Sequence, residues 1–465
     1  MAQTQALQQY LDLYREHADM VCAGSCAPLN NRRAAAFDAL TAQGLPSQKV
    51  ERYKYTNVAQ ALAPDFGLNL RRRAVTLDPY AAYKCRVHGM AATLRYVVGD
   101  TVLPPSPSDS ILPEGVYIGS LCDYEAENPG FIGKYYHTAA GLDYDALTAL
   151  NTLLVQDGML VYLPAGTKLE QPLQLVNVLS ADKDMMANRR MLVVAEEGAE
   201  GTILLCDHAF EQSKYLTTEV IEVFAKADAA LEIYSIEETH PDNTRFCNTY
   251  IEQQEGSRVV YNGLTLQGGL TRNRLDVHLA GQKASISAYG AVIADGKAHV
   301  DNNILVNHDA EACESDLLYK YVLDEHSIGA FAGKVLVQQT GQKAQSQETN
   351  ANLCVSDDAR AFTQPMLEIY ADDVKCNHGS TVGKLDETAL FYMRQRGIPE
   401  AEARLLLQHA FINEVLRHIR LEPLYERLSH LVELRFKREL SSCKGCKISG
   451  SCGTSKNSDE TAQKH

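Results

Sequence analysis

Tryptophan is absent from this 465-residue chain, and without indole rings as stacking platforms a carbohydrate-binding cleft is disfavoured. Long apolar runs are missing too. No window approaches the roughly 18 apolar residues that a membrane-spanning helix needs, so no membrane partner is expected. Basic charge is in deficit: 44 Lys and Arg stand against 59 Asp and Glu, a formal net charge of −15. That balance repels nucleic acid and anionic lipid alike. The opening residues MAQTQALQQYLDLYREH contain neither a basic n-region nor an apolar run, which points to the cytoplasm. Walker A, GxSxG, HExxH and dinucleotide-binding signatures are also missing. No enzymatic activity is expected of the chain itself, and any energy input would come from another polypeptide.

What is present is ordinary for a globular protein, with 45% apolar and 22% charged residues and enough length for two or three domains. Twelve cysteines without a secretion signal read as reduced thiols, some structural and some ligands, rather than as a disulfide framework. Residues 1–60 form a helical region, with Leu7, Leu11, Tyr14 and Ala18 at helical spacing and an end marked by GLPSQKVERYKY, Gly44–Tyr55. Residues 61–190 are mixed in character and lead into the core. From Met191 short apolar strands recur, among them Thr202–Cys206, Tyr215–Phe224, Leu231–Ile236 and Lys334–Val337. Small-residue turns centred on 198, 227, 256, 281, 296 and 309 separate them, at intervals of 25 to 29 residues and then 13 to 15. A rung of two strand-turn units repeating over 191–380 explains these intervals as a parallel β-helix. An antiparallel sandwich or barrel is the alternative that periodicity leaves open.

Residues 381–440 switch to helical periodicity. Asp386 is placed to cap a helix ending at Arg396, Gly397 to stop it, and Pro399 to begin the next. These helices carry an apolar stripe suited to covering the solenoid end or docking a partner. The tail, 441–465, is polar and predicted disordered.

Chemistry concentrates in Leu367–Gly397, LEIYADDVKCNHGSTVGKLDETALFYMRQRG. Read as a strand over Tyr370–His378 and released into a turn by Gly379, it puts Asp372, Val374, Cys376 and His378 on one face and Asp373 on the other. Residues two apart on a strand are roughly 6.5–7 Å apart, too far for a tight chelate but suited to two atoms of a cluster. Thiol and imidazole suit iron–sulfur chemistry or zinc, yet two ligands do not close a site. A buried Cys beside a turn-capping His explains the same residues. Adjacent Asp372 and Asp373, on opposite faces, cannot form an acid/base pair. A second candidate metal set is Cys443, Cys446 and Cys452, again one ligand short. Cys206, Cys247, Cys313 and Cys354 read as core packing.

YADDVKCNHGSTVGKLDETALFYMRQRGIPEAEARLLLQHAFINEVL closely resembles the C-terminal signature of the SufB/SufD family, in its SufD form, a subunit type of the SufBCD iron–sulfur cluster assembly complex. GLPSQKVERYKYTNV resembles an N-terminal element of the same family. The resemblance implies a mainly β fold: a right-handed parallel β-helix (β-solenoid) core flanked by N-terminal and C-terminal α-helical regions. It implies a non-catalytic scaffold subunit that pairs with SufB through the β-helix, or with itself in isolation, and docks the ATPase SufC through its C-terminal helices. The cluster would be transient, shared with SufB and formed at their interface, with His378 and its neighbour Cys376 as the site residues and ATP used by SufC alone. A SufB-like scaffold fits less well. Such sequences carry a cysteine before the Pro-x-x-Glu strand where Asp357–Gln364 has none, and a Glu-rich stretch where this chain has Val374–His378. A β-helix carbohydrate-active enzyme using Asp372 and His378 is the remaining rival.

Overall fold

The computed structural model describes residues 2–68, 70, 80, 87–106, 112–141, 145–180, 183–209 and 213–439. From Met159–Leu163 onward, consecutive strands alternate between two sheets, and each pairs in parallel with the strand one turn of the chain away. Ala230, Arg258, Ser285, Glu314, Gln345 and Lys375 align on successive rungs, 28, 27, 29, 31 and 30 residues apart. Only a coil winding at that pitch gives this register. The fold is a β-solenoid of about seven turns with helices at both terminal regions, as the resemblance implied, and the antiparallel alternative is excluded. Its ladders begin upstream of Met191, at Thr93–Val98 pairing with Leu173–Leu179.

The turns explain why the rungs can be so regular while the sequence is not. Two residues before six successive strands of the second sheet, from Glu200–Ala209 to Gln345–Cys354, Gly198, Asp228, Gly256, Lys283, Ala312 and Lys343 all have positive φ, 66°, 56°, 65°, 58°, 60° and 61°. Glycine adopts this left-handed conformation without penalty, and the other four positions hold it within a turn anchored on both sides by ladder bonds. Inside, Val161, Val193, Val223, Ile251, Val277, Val306 and Val335 stack in one buried column. Each such side chain contributes roughly 1.5–3 kcal/mol on burial. A charged belt interrupts the apolar interior: Arg189 reaches Asp207 at 2.7 Å, and Arg245 reaches Asp207 at 3.0 Å and Glu219 at 3.2 Å.

Helices cover the outer faces of both sheets. On the first, Leu7, Leu11 and Leu40 of the N-terminal helices, together with Leu150 of Ala146–Leu154, pack on Met186, Leu216 and Phe246. On the second, Ile412, Val415 and Leu416 of Glu400–Leu416 and Leu428 of Glu422–Phe436 pack on Tyr234, Ile236 and Leu264. Arg435 fastens this layer with two 2.6 Å bonds to Asp295. Asp386 caps Glu387–Gln395 as its sequence position predicts, accepting from the Thr388 and Ala389 N–H groups at 2.8 and 3.2 Å. The helices lie along the flank of the coil, and the final strand, Lys375–Gly383, stays exposed along most of its length.

One ladder on the outer surface makes a pH prediction. His278 sits between Glu252, 2.8 Å from Nδ1, and Asp309, 3.1 Å from Nε2. The hydrogen bond to Glu252 leads in raising its pKa from 6.5 to about 9, against partial burial. A raised imidazole pKa means that this pairing stabilises the fold fully below about 6.5 and stops doing so as pH rises through about 9. An NMR titration of the His278 ring should therefore show its midpoint near 9, and His278→Gln should narrow the stability difference between about pH 6 and about pH 10.

Candidate functional site

The second sheet contributes an inward column whose members are Leu173, Ile203, Ile233, Tyr261, Ala288, Leu317, Glu348 and His378, each a register partner of the next. Apolar for six rungs, it ends in a carboxyl and an imidazole. The neighbouring column runs Leu231, Val259, Ile286, Ser315, Ser346, Cys376 and turns polar over the same rungs. Hydrophobic burial no longer dictates the inward side chains where the coil opens to solvent.

Cys376 and His378 thus share one face of the last strand, as expected, but they reach it by a different route. The strand is Lys375–Gly383, not Tyr370–His378, and Gly379 continues it instead of ending it. Asp372 and Asp373 form an exposed turn after Arg360–Ile369. That turn is clipped to the previous rung, since the Lys343 N–H donates to the Asp373 carbonyl at 2.6 Å and the Asp373 N–H to Gln342 at 3.0 Å. Asp372 sits in this turn, before the strand and its alternation begin at Lys375, so it does not join the Cys376 and His378 face.

Cys376 is half-buried against the interior core, and burial raises its thiol above the ordinary range. His378 is exposed. Beneath them, Ser346 and Ser315 are linked at 2.8 Å, and Ser315 is 2.8 Å from the buried His308, whose pKa burial lowers to about 4. Glu348 is fully buried, and neither of its carboxyl oxygens has a hydrogen-bond partner. Burial alone pushes its pKa up to about 8, so it carries its proton at neutral pH. Its carboxyl lies across the coil over Gly333, where a Cβ would collide with it. Sequence reading passed over Glu348 because the polar alternation Ser346, Glu348, Asn350, Asn352 looks like a solvent face. The signal was its register with the apolar Leu317 one rung earlier.

The other cysteines divide. Cys206, Cys247 and Cys313 are buried as expected, whereas Cys26 and Cys122 form a disulfide across 96 residues of sequence. This corrects the expectation of reduced thiols throughout. The start of Ala27–Gln43 is brought beside Leu121–Glu127, with the two Cα atoms 5.2 Å apart, a juxtaposition that spacing along the chain cannot reveal. Cys443, Cys446 and Cys452 lie outside the described residues. Among the described residues no three His, Cys, Asp or Glu side chains stand together as a ready metal site.

The N-terminal motif belongs to the same end of the coil. Arg52 donates to Asp276 at 2.5 and 3.1 Å and to Asn303 at 2.7 Å, Tyr55 stacks on Phe362 at 4.7 Å, and Gln364 donates to Glu51 at 3.1 Å. The N-terminal motif thus spans the first sheet from Leu270–Leu279 to its last strand, Arg360–Ile369, at the end where Lys375–Gly383 closes the second.

Residues 177–411 match the model of the SufBD core domain of the SUF system for FeS cluster assembly, and residues 4–175 match that of the SufBD protein N-terminal region. The chain belongs to the SufBD family. It is 28% identical to an iron–sulfur cluster assembly SufBD family protein of Synechocystis sp. over 440 residues, 92% of this chain and 96% of that protein. It is also 26% identical over 393 residues to the iron–sulfur cluster assembly protein SufD of Escherichia coli, covering 83% of this chain and 88% of that one. To SufD of Bacillus subtilis it is 24% identical over 421 residues, 88% and 94% of the two chains. Membership assigns the SufBD chain to iron–sulfur cluster assembly. No helix among its described residues is long and apolar enough to cross a membrane.

Proposed function

We propose that this SufBD chain acts as the SufD-type, non-catalytic half of a two-coil scaffold, pairing through its last rung with SufB. The observation that carries this reading is the open end of the coil. There an otherwise apolar inward column finishes in Glu348 and exposed His378, with Cys376 beside them. A thiol and an imidazole on the open last rung make half of a ligand set, and a second chain supplies the rest. The edge itself invites such a partner. Arg360–Ile369 and Lys375–Gly383 each pair with one neighbour only, leaving backbone donors and acceptors free on the other side. Tyr370 and Val382, 59% and 53% exposed, add apolar surface to that edge.

In this arrangement SufB brings a sulfur-accepting cysteine and His378 contributes an imidazole to the nascent cluster, which is the product and passes on. The C-terminal helices dock the ATPase SufC. Phe391 and Tyr392 on Glu387–Gln395, 62% and 57% exposed, and Leu406 on Glu400–Leu416 offer the apolar anchors that such a contact uses. ATP is hydrolysed by SufC alone. Co-expression with SufB and SufC tests the reading: one stable complex containing all three is expected, and a chain that purifies free of both contradicts it.

A further inference from the structure

Three cysteines gather where the N-terminal helices meet the first rungs, at the other end of the coil from Cys376 and His378. Cys26 and Cys122 are joined, and Cys22, a half-buried free thiol, lies in the last turn of Ala2–Ala23. The corner between Cys22 and Cys26 is tight. The Cys22 carbonyl accepts from the Ser25 N–H at 3.2 Å and from the Asn30 side-chain amide at 3.1 Å, while the Cys26 carbonyl accepts from the Asn30 N–H at 3.0 Å. Asn30 thus holds both cysteine backbones at once. Gly24, within the corner, lies so close to the Gln156 side chain that a Cβ would meet it at 2.6 Å, and the Gln156 carbonyl is 3.8 Å from Cys122 Sγ. The corner that carries Cys22 and Cys26 is therefore packed on the residue that touches Cys122. Stapling is not what this joint needs. Buried Arg33 donates to the Thr152, Leu153 and Val155 carbonyls at 3.1, 2.9 and 2.7 Å, and Leu29, Leu121, Ile132 and Leu160 form one apolar cluster across the joint. Cys26 and Cys122 are both partly open to solvent, and an exposed disulfide is the kind that thiols exchange readily. Cys206 and Cys247 are the contrast, buried and with burial pushing each thiol up to about 12.

We infer that Cys22, Cys26 and Cys122 form a thiol–disulfide exchange centre, with small thiols and disulfides of the glutathione class as co-reactants and Cys22 as the internal nucleophile. When the cross-link forms, the Cys26 and Cys122 thiols give two electrons and two protons to one small disulfide, which leaves as two thiols. When it exchanges, Cys22 loses its proton and its sulfur attacks Cys26 Sγ. The Cys22–Cys26 bond forms, the Cys26–Cys122 bond breaks, and Cys122 leaves with the electron pair and takes up a proton. No electron is gained or lost overall. The link moves from between Ala27–Gln43 and Leu121–Glu127 to within the helical corner, and Cys122 is freed. It then attacks a second small disulfide, forming a mixed disulfide and releasing one thiol. The centre works independently of the pairing with SufB, which uses the last rung.

The test uses the full-length chain in a C85S/C443S/C446S/C452S background, so that the cysteines outside the described residues take no part. Oxidised with glutathione disulfide, freed of it and held at mildly alkaline pH with iodoacetamide, the chain is mapped by peptide mass spectrometry. A population carrying alkylated Cys122 together with a Cys22–Cys26 disulfide is expected, and C22S should lose it entirely while keeping Cys26–Cys122. C122S, oxidised in the same way, should form Cys22–Cys26. Without iodoacetamide, glutathione disulfide should leave a glutathione adduct on Cys122 of the parent and none on Cys122 of C22S. Fully reduced protein should still melt cooperatively, because Arg33 and the apolar cluster hold the joint without the bond. Alkylation of Cys22 alone over an intact Cys26–Cys122 bond overturns the inference, as does equal Cys122 alkylation in C22S. So does a chain that unfolds on reduction, which would make the bond a staple.

Discussion

Asp145→Ala is expected to destabilise the protein by about 3–5 kcal/mol, the usual cost of removing one partner of a buried ion pair. Asp145 is buried and caps Ala146–Leu154, accepting from the Leu147 and Thr148 N–H groups at 2.9 and 3.0 Å. It also accepts from Arg274 at 2.8 Å, from Asn248 at 2.9 Å and from the Tyr53 hydroxyl. One carboxylate therefore ties the N-terminal motif, a helix and the coil together. Burial works to raise its pKa, but Arg274 and Arg272 beside it prevail and hold it below the ordinary carboxylate value. Because the folded pKa is depressed, this stabilisation is present above the unfolded value of about 3.8 and is lost as pH falls through the folded one. Asp145→Asn keeps the cap and loses the charge, so its loss should be smaller. Denaturant midpoints of both variants at neutral and acidic pH check the order, and equal stability of wild type and Asp145→Ala would refute the role.

The second large effect concerns the open edge. Tyr370→Asp with Val382→Asp should weaken association with SufB by about 2–4 kcal/mol, or roughly 30–1,000-fold, through loss of central apolar anchors and repulsion at an unpaired edge. Both side chains are largely solvent-exposed, so the variant should fold with wild-type stability. Analytical ultracentrifugation or calorimetry against SufB measures the change. Undiminished affinity would place the partner elsewhere on the coil.

The architecture was legible because strand and turn alternate at a steady pitch, and the C-terminal helices because Asp386 and Gly397 mark a cap and a stop; Gly397 does adopt positive φ, 83°. The individual rungs were harder. Their left-handed turn position passes from Gly198 to Asp228, Gly256, Lys283, Ala312 and Lys343, so a search for small-residue turns drifts by one to three positions. The charged belt of Arg189, Asp207, Glu219 and Arg245 was invisible for another reason. A period of two says that these residues share a face but not that they meet across the coil. At the candidate site, the shared strand face of Cys376 and His378 was legible from the residues, whereas the place of Glu348 beneath it required the register of one strand on the next. Asp372 was misplaced because a turn bonded to the turn below it has the same local composition as a strand end.

The central claim is that His378 supplies this chain's share of the site where the cluster forms. Its most direct measurement is anaerobic co-expression with SufB and SufC, followed by absorption and Mössbauer spectroscopy of the purified complexes containing wild type or His378→Ala. The account predicts the same three-subunit complex from both, with iron–sulfur signals in the wild type and little or none in the variant. An equal cluster content in the His378→Ala complex would contradict it.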